Sequence, residues 1–247
     1  MRIIACFKAT PDDADISIGR DGSLDLSRAS WKIGSYDLNA IEAARQLADQ
    51  LGGEVIGLTV GGAQLDNTKL RKDALSRGLD QLTIVTGDTE GDSFQTASLL
   101  AAAIRELGAV DLVLLGAGSS DRYAQQVGNI LGGLLGLPTL NAVDHVEPAE
   151  GGLRVERALE SQTQILAVDL PAVLSVTSGI NTPRIPGMRD ILAAGKKPVT
   201  MTSAEPPAAS TRLVSVTAPQ QQARQQKVIE GEPAEVAAQL AAFITSL

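Results

Sequence analysis

The run Gly116-Ala117-Gly118-Ser119-Ser120-Asp121 combines residue types that hold an anion without breaking a bond. It follows a β-rich run, residues 110–116, and precedes a helical pattern, residues 121–136. Small residues let a backbone approach a ligand closely, Ser119 and Ser120 bring hydroxyls, and a helix starting near Asp121 would offer unpaired N–H groups and a positive dipole end to a phosphate. The same glycines fit a plain tight turn between a strand and a helix, and both readings stay open here. The dinucleotide fingerprint G-x-G-x-x-G fails, because its third glycine position is Asp121 and it follows the wrong strand, and no Walker lysine pattern occurs. Other reactive residues point away from catalysis. His145 lies in a polar strand-like stretch with no nucleophile beside it, Cys6 ends an apolar run, and Asp12-Asp13 after Pro11 reads as a solvated turn. Neither a G-x-S-x-G elbow nor an H-E-x-x-H helix is present, so the chain reads as a binder without bond-breaking machinery.

Composition narrows the partners. A net charge of −8 disfavours nucleic acid and anionic membrane surfaces, and no stretch of about 18 uncharged apolar residues occurs for direct membrane insertion. The opening MRIIACFKATPDD has no signal-peptide h-region, so a cytoplasmic location is expected. One Cys excludes an internal disulfide, and one Cys with one His cannot build a zinc site, so no metal is expected.

The elements that must position the glycine run are βα units. Residues 2–7, 54–60, 80–86 and 110–116 are continuously apolar, as strands covered on both faces are, and helical spacing fills 37–51, 64–77 and 92–107 between them. Gly52, Gly78 and Gly108 follow the helices as stop signals. Asp21-Gly22 predicts a β-hairpin inserted after the first strand. Residues 139–148, 152–159, 163–170 and 172–178 add strands, some antiparallel, so the sheet is mixed. The fold class is therefore α/β, a mostly parallel doubly wound sheet, with a nucleotide-binding-type domain over 1–202 and a linker and C-terminal arm over 203–247. The arm carries an amphipathic helix over 232–246 whose apolar side is Val236, Leu240, Phe243 and Ile244. Four such units wind in the order 3-2-1-4 and open a crevice between the first and fourth strands, at Cys6-Phe7-Lys8 and Gly116 to Ser120.

Several ordered segments carry a family resemblance: IIACFKATPD, GSYDLNAIEAARQLA, LTVGGAQ, GAGSSDRYAQQVGNILGGLLGLP, VERALE and LPAVLSVTSGINTPRIPGMRDILAAGKKP. From Met1 to about Pro198 the chain resembles the beta subunit of an electron transfer flavoprotein, and DLNAIEAA, KDALSRG and YAQQVG resemble the Fix-type branch associated with nitrogen fixation or carnitine reduction. The resemblance implies an adenine nucleotide alpha-hydrolase-like, Rossmann-like fold. It implies a heterodimer with an electron transfer flavoprotein alpha subunit, a shared FAD, and AMP or a second FAD in the beta site. Matched nucleotide-site positions are Cys6, Gly34, Ser35, Tyr36, Asp37, Val60, and the run Asp121, Arg122, Tyr123, Ala124, Gln125, Gln126, Val127, Gly128, Asn129, Ile130, Leu131 and Gly132. Gly116 and Gly118 join them from the crevice argument, and Tyr36 is implied to lie near the shared flavin. Arg184, Ile185, Met188 and Ile191 fall in the segment that resembles a partner-recognition loop, with Met188 at the place of an anchoring leucine.

Relatives carry an acidic cluster where this chain has Asp121-Arg122-Tyr123, and the lysine-rich run after the recognition loop shrinks to Lys196-Lys197. The resemblance thus implies an electron carrier rather than an enzyme, working between an acyl-CoA or carnitinyl-CoA flavin dehydrogenase and a quinone oxidoreductase. The alternatives are a bifurcating subunit that oxidises NADH and reduces ferredoxin and quinone, an ATP-binding stress-type regulator, and a scaffold without nucleotide.

Overall fold

A continuous apolar run needs cover on two faces, and β1 (Arg2–Cys6) has it, with Ile3, Ile4 and Ala5 fully buried. The computed structural model describes residues 1–87, 92–219 and 226–246. After β1 the inserted segment makes two small antiparallel pairs. β2 (Ala9–Pro11) lies outside β3 (Ser17–Ile18) and β4 (Leu24–Asp25), and pairs with β5 (Trp31–Ile33). The expected hairpin is present, with Gly22 at φ +81° and the Asp21 carboxylate accepting from the Ser23 N–H. Its loop is longer than the two residues that Asp-Gly alone suggests, because the strands close only at Ile18 and Leu24.

The βα units then follow. They are α1 (Ser35–Leu51), β6 (Glu54–Gly61), α2 (Thr68–Ser76), β7 (Gln81–Thr86), α3 (Ser93–Leu107) and β8 (Leu112–Gly116). Side-chain caps fix two helix starts. Asn67 accepts from the N–H groups of Lys69 and Leu70, which is why α2 begins later than its periodicity predicts, and Asp92 accepts from Gln95 N–H to start α3. Gly52, Gly78 and Gly108 all sit at positive φ as helix stops.

The next helix is a correction. α4 spans Val127–Leu135, not 121–136. Residues 117–126 form a loop in which Tyr123 and Gln125 stand at φ +46° and +57°, a left-handed conformation that interrupts a helix. No side chain caps α4, so its start left no signal in the sequence.

β9 (Thr139–Ala149), β10 (Gly152–Ala158) and β11 (Thr163–Asp169) form an antiparallel meander, and β12 (Ala172–Val176) returns parallel between β8 and β9. α5 (Met188–Ala194) leads to β13 (Val199–Ser203), and the arm ends in α6 (Pro233–Thr245). The sheet has nine strands among the described residues, in the order β11-β10-β9-β12-β8-β1-β6-β7-β13. Its centre, β7-β6-β1-β8, is the predicted 3-2-1-4 arrangement, all parallel. β13 was not anticipated. It pairs with β7 at the edge and every one of its residues is exposed, so it lacks the apolar run that marks the other parallel strands. The core lies on both faces of the sheet, one side under α1 and α2 with Ile41, Leu47 and Leu75, the other under α3 and α4 with Leu100, Ile104 and Leu131.

Candidate functional site

The order in which the parallel strands are added reverses at the β1/β8 pair, and a cleft opens at the carboxyl ends of those strands, with about 130 Å³ of water-accessible space. Five stretches build it: Cys6-Phe7-Lys8 at the end of β1, Asp37 on α1, Val60 on β6, Ser93, Thr96 and Leu100 on α3, and the walls between Leu115 and Gly128. Of the residues named from sequence, Cys6, Asp37, Val60, Gly116, Gly118, Arg122, Ala124, Gln125, Gln126, Val127 and Gly128 line it together. Lys8, Ser93, Thr96, Leu100 and Ser119 also line it. The α3 residues gave no warning, because Ser93 and Thr96 read as an ordinary helix start some 20 residues before the glycine run.

Asp37 ties the two strand ends together. Its carboxylate accepts the Lys8 N–H at 2.8 Å on one oxygen and the Gly116 N–H at 3.0 Å on the other. Burial pushes the carboxyl up to about 7, against the two backbone hydrogen bonds and the Lys8 charge, which pull it down. The glycines around it are there for closeness. A Cβ at Gly34 would stand 2.7 Å from Asp37 Oδ2, and one at Gly116 would stand 2.6 Å from Asp37 Oδ1. Cys6 is buried beside it, and burial, then the Asp37 charge, holds the thiol far above its usual range, so it is an apolar wall rather than a nucleophile.

The loop 117–126 closes one side. Lys8 Nζ meets both oxygens of Asp121, at 2.7 and 2.6 Å, and Ser120 Oγ donates to Thr10 Oγ1 at 3.3 Å. Burial pushes the Asp121 carboxyl up, but hydrogen bonds from Lys8 and Ser119 and the Lys8 charge leave it net below its ordinary value. Tyr36 and Tyr123 face each other at the mouth, ring centroids 5.7 Å apart. A Cβ at Gly118 would strike the Tyr123 ring at 2.6 Å.

The helix end that meets the cleft is at Val127 and Gly128, not Asp121 to Ala124, because the first intrahelical bond is Ile130 N–H to Gln126 C=O. Beyond it the expected run leaves the cleft. Asn129 is exposed, Ile130 and Leu131 join the core, and Gly132 lets α4 lie against Thr139, as Gly128 does against Ser175. Gly34, Ser35, Tyr36, Asp121 and Tyr123 border the cleft without lining it. Apolar walls, unpaired amides and close-approach glycines suit a flat heterocycle carrying an anionic group.

Residues 22–207 match the family model described as the electron transfer flavoprotein domain. The chain belongs to that family. Membership places it among electron-transferring, flavin-associated proteins, and the Rossmann-like mixed sheet is the architecture the family implies. No helix among the described residues is long and apolar enough to cross a membrane.

A second feature of this electron transfer flavoprotein domain is the segment before and through α5. Ile185 is 92% and Met188 73% exposed, with Ile191 and Leu192 also at the surface, an apolar patch that water alone covers poorly. Arg184 is turned to a different use. It grips the buried Glu42 carboxylate at 2.6 Å while Asn39 and Asn181 exchange hydrogen bonds, so the segment is fastened to α1 and the apolar residues project from a fixed base.

Proposed function

We propose that this chain is a beta-type subunit of an electron transfer flavoprotein of the Fix-type branch. On this reading it holds AMP in the β1/β8 cleft and pairs with an FAD-bearing alpha subunit. The pair carries electrons between an acyl-CoA or carnitinyl-CoA flavin dehydrogenase and a quinone oxidoreductase, in the cytoplasm, without enzymatic chemistry of its own. The observation that carries the reading is the convergence of eleven positions named from sequence, nine by family match and two glycines by the crevice argument, on one cleft at the switch point, in a chain matched to the family over residues 22–207. The residues present fit an adenine nucleotide. Val60, Leu100 and Leu115 offer apolar walls, Gln125 and Gln126 offer amide groups for base or ribose edges, and the open amides of Val127 and Gly128 suit a phosphate. The FAD shared with the alpha subunit would supply the electron chemistry; this chain would set its position and surroundings, with Tyr36 near it. The apolar residues Ile185, Met188 and Ile191 would dock the dehydrogenase, with Arg184 holding their base in place.

The test is ligand content. The chain is co-expressed with its flavoprotein partner, the complex is purified, ligands are released by heat, and FAD and AMP are counted per heterodimer. One FAD and one AMP are expected. Two FAD would replace the simple carrier with the bifurcating reading, in which NADH is oxidised and ferredoxin reduced, and no released AMP or second FAD would remove the nucleotide assignment.

A further inference from the structure

We infer that Arg122 makes this cleft selective for a ligand ending in a single phosphate, and that the Lys8–Asp121 pair withholds the second cation a diphosphate would need. The inference rests on the nucleotide reading and deepens it, because it separates a nucleoside monophosphate from a dinucleotide or diphosphate at the same site.

The argument is a charge inventory. The titratable groups lining the cleft, among the described residues, are Cys6, Lys8, Asp37 and Arg122. Cys6 is a neutral thiol and Asp37 is occupied by the backbone N–H groups of Lys8 and Gly116. The Lys8 charge is spent on Asp121, both of whose oxygens lie within 2.7 Å of Nζ. Among the described residues Arg122 has no ion-pair partner and no side-chain hydrogen bond; its backbone N–H donates to Ser119 Oγ at 3.4 Å. Arg122 thus lines the cleft as an exposed residue whose guanidinium has no ion-pair partner among the described residues, in a chain whose net charge is −8. A guanidinium presents paired donors that match two phosphate oxygens, which makes it a recognition group and not just a positive point.

The backbone supports the same assignment. Tyr123, next to Arg122, is held at φ +46° and Gln125 at +57°, conformations that cost a non-glycine residue energy and persist where surrounding structure enforces them. Asp121 on Lys8 and Ser120 on Thr10 fasten the loop on one side, and α4 fastens it on the other, so Arg122 is carried on a braced turn. With one phosphate seated on the open α4 amides, a second phosphate has two cationic side chains to turn to. It must share Arg122 or draw Lys8 away from Asp121, which would leave that partly buried carboxylate without its cation.

The experiment uses the full chain stripped of nucleotide, with adenosine, AMP and ADP titrated by calorimetry at two salt concentrations. For the wild type, AMP is expected to bind at least about tenfold more tightly than adenosine, with the difference shrinking at high salt. Arg122→Gln should abolish most of that difference and its salt dependence while adenosine affinity holds, and Arg122→Lys should restore part of it. Asp121→Asn frees Lys8 and should raise ADP affinity relative to AMP by about tenfold. If adenosine and AMP bind the wild type equally, or Arg122→Gln weakens both alike, the selective role of Arg122 is overturned and the nucleotide reading stands. An unchanged ADP to AMP ratio in Asp121→Asn overturns the role of the Lys8–Asp121 pair. If the wild type binds none of the three ligands, the nucleotide reading itself falls, and this inference with it.

Discussion

Asp37 holds the ends of β1 and β8 at a fixed separation, and it does so as a buried acid whose ionised form is disfavoured. Its sign in pH linkage follows from that. The folded chain binds the Asp37 proton up to about pH 7, whereas an unfolded aspartate releases it near 3.8, so this residue's contribution to stability is complete below that lower value and declines as pH rises to about 7. Asp37→Asn keeps one carbonyl oxygen for two N–H groups, so it is expected to be less stable than wild type at pH 4 and to narrow that gap on the way to pH 7. Urea unfolding at several pH values checks this, and two parallel profiles would show that Asp37 does not titrate in that window. Asp37 was named from sequence through its place in the Gly34 to Asp37 turn, but its bridge to Gly116 was not legible, because nothing in the spacing of residues 37 and 116 shows that a carboxylate joins them. The left-handed turns at Tyr123 and Gln125 were hidden for a related reason: glycine advertises positive φ and tyrosine or glutamine does not.

At the scale of elements, the caps were the readable part and the joints were not. Asp92 begins α3, as the predicted start at residue 92 required, yet it also receives Ser210 Oγ at 3.0 Å and the Thr211 N–H and hydroxyl at 2.9 and 2.6 Å. Gln95 adds its side-chain N–H to Pro207 C=O at 2.7 Å. The hydroxyls and N–H groups on Asp92, Thr211 foremost, hold its carboxyl well below the usual carboxylate range, so its contribution is present above about pH 4 and is lost as pH falls further. Asp92→Ala is expected to cost about 1–3 kcal/mol, more than a helix cap alone, and to expose residues 204–219 to protease. Cleavage and stability equal to wild type would mean that Asp92 only caps α3. The Pro- and Ala-rich stretch 203–210 looked like a free linker because hydroxyl contacts to a distant carboxylate leave no periodic pattern. In the structure the tether extends further, since Ala218 N–H donates to Gly22 C=O and Ser23 bridges Thr217.

The whole molecule is therefore a well-covered sheet with an arm that stays attached as far as Ala218 and then presents α6, a helix with no buried residue. Leu240 is 47% and Ile244 61% exposed, and Lys227 Nζ lies over the Phe243 ring, 5.1 Å from its centre. Sequence pattern could announce an α/β core and an amphipathic tail, but the partner of an apolar helix side is a property of the assembly, and one chain's sequence does not contain it. On the proposed reading that partner is the alpha subunit. Stopping the chain after Ala218 removes α6 while leaving Thr211 on Asp92, so the melting temperature of the isolated subunit should hold while heterodimer affinity falls at least about tenfold, a loss of ~1.4 kcal/mol. Packing of α6 on the subunit's own sheet predicts the reverse pattern: a lower melting temperature with pairing intact. Measuring both quantities on the same truncated protein decides between them, because burial of the same apolar side cannot be lost from the isolated fold and the interface at once.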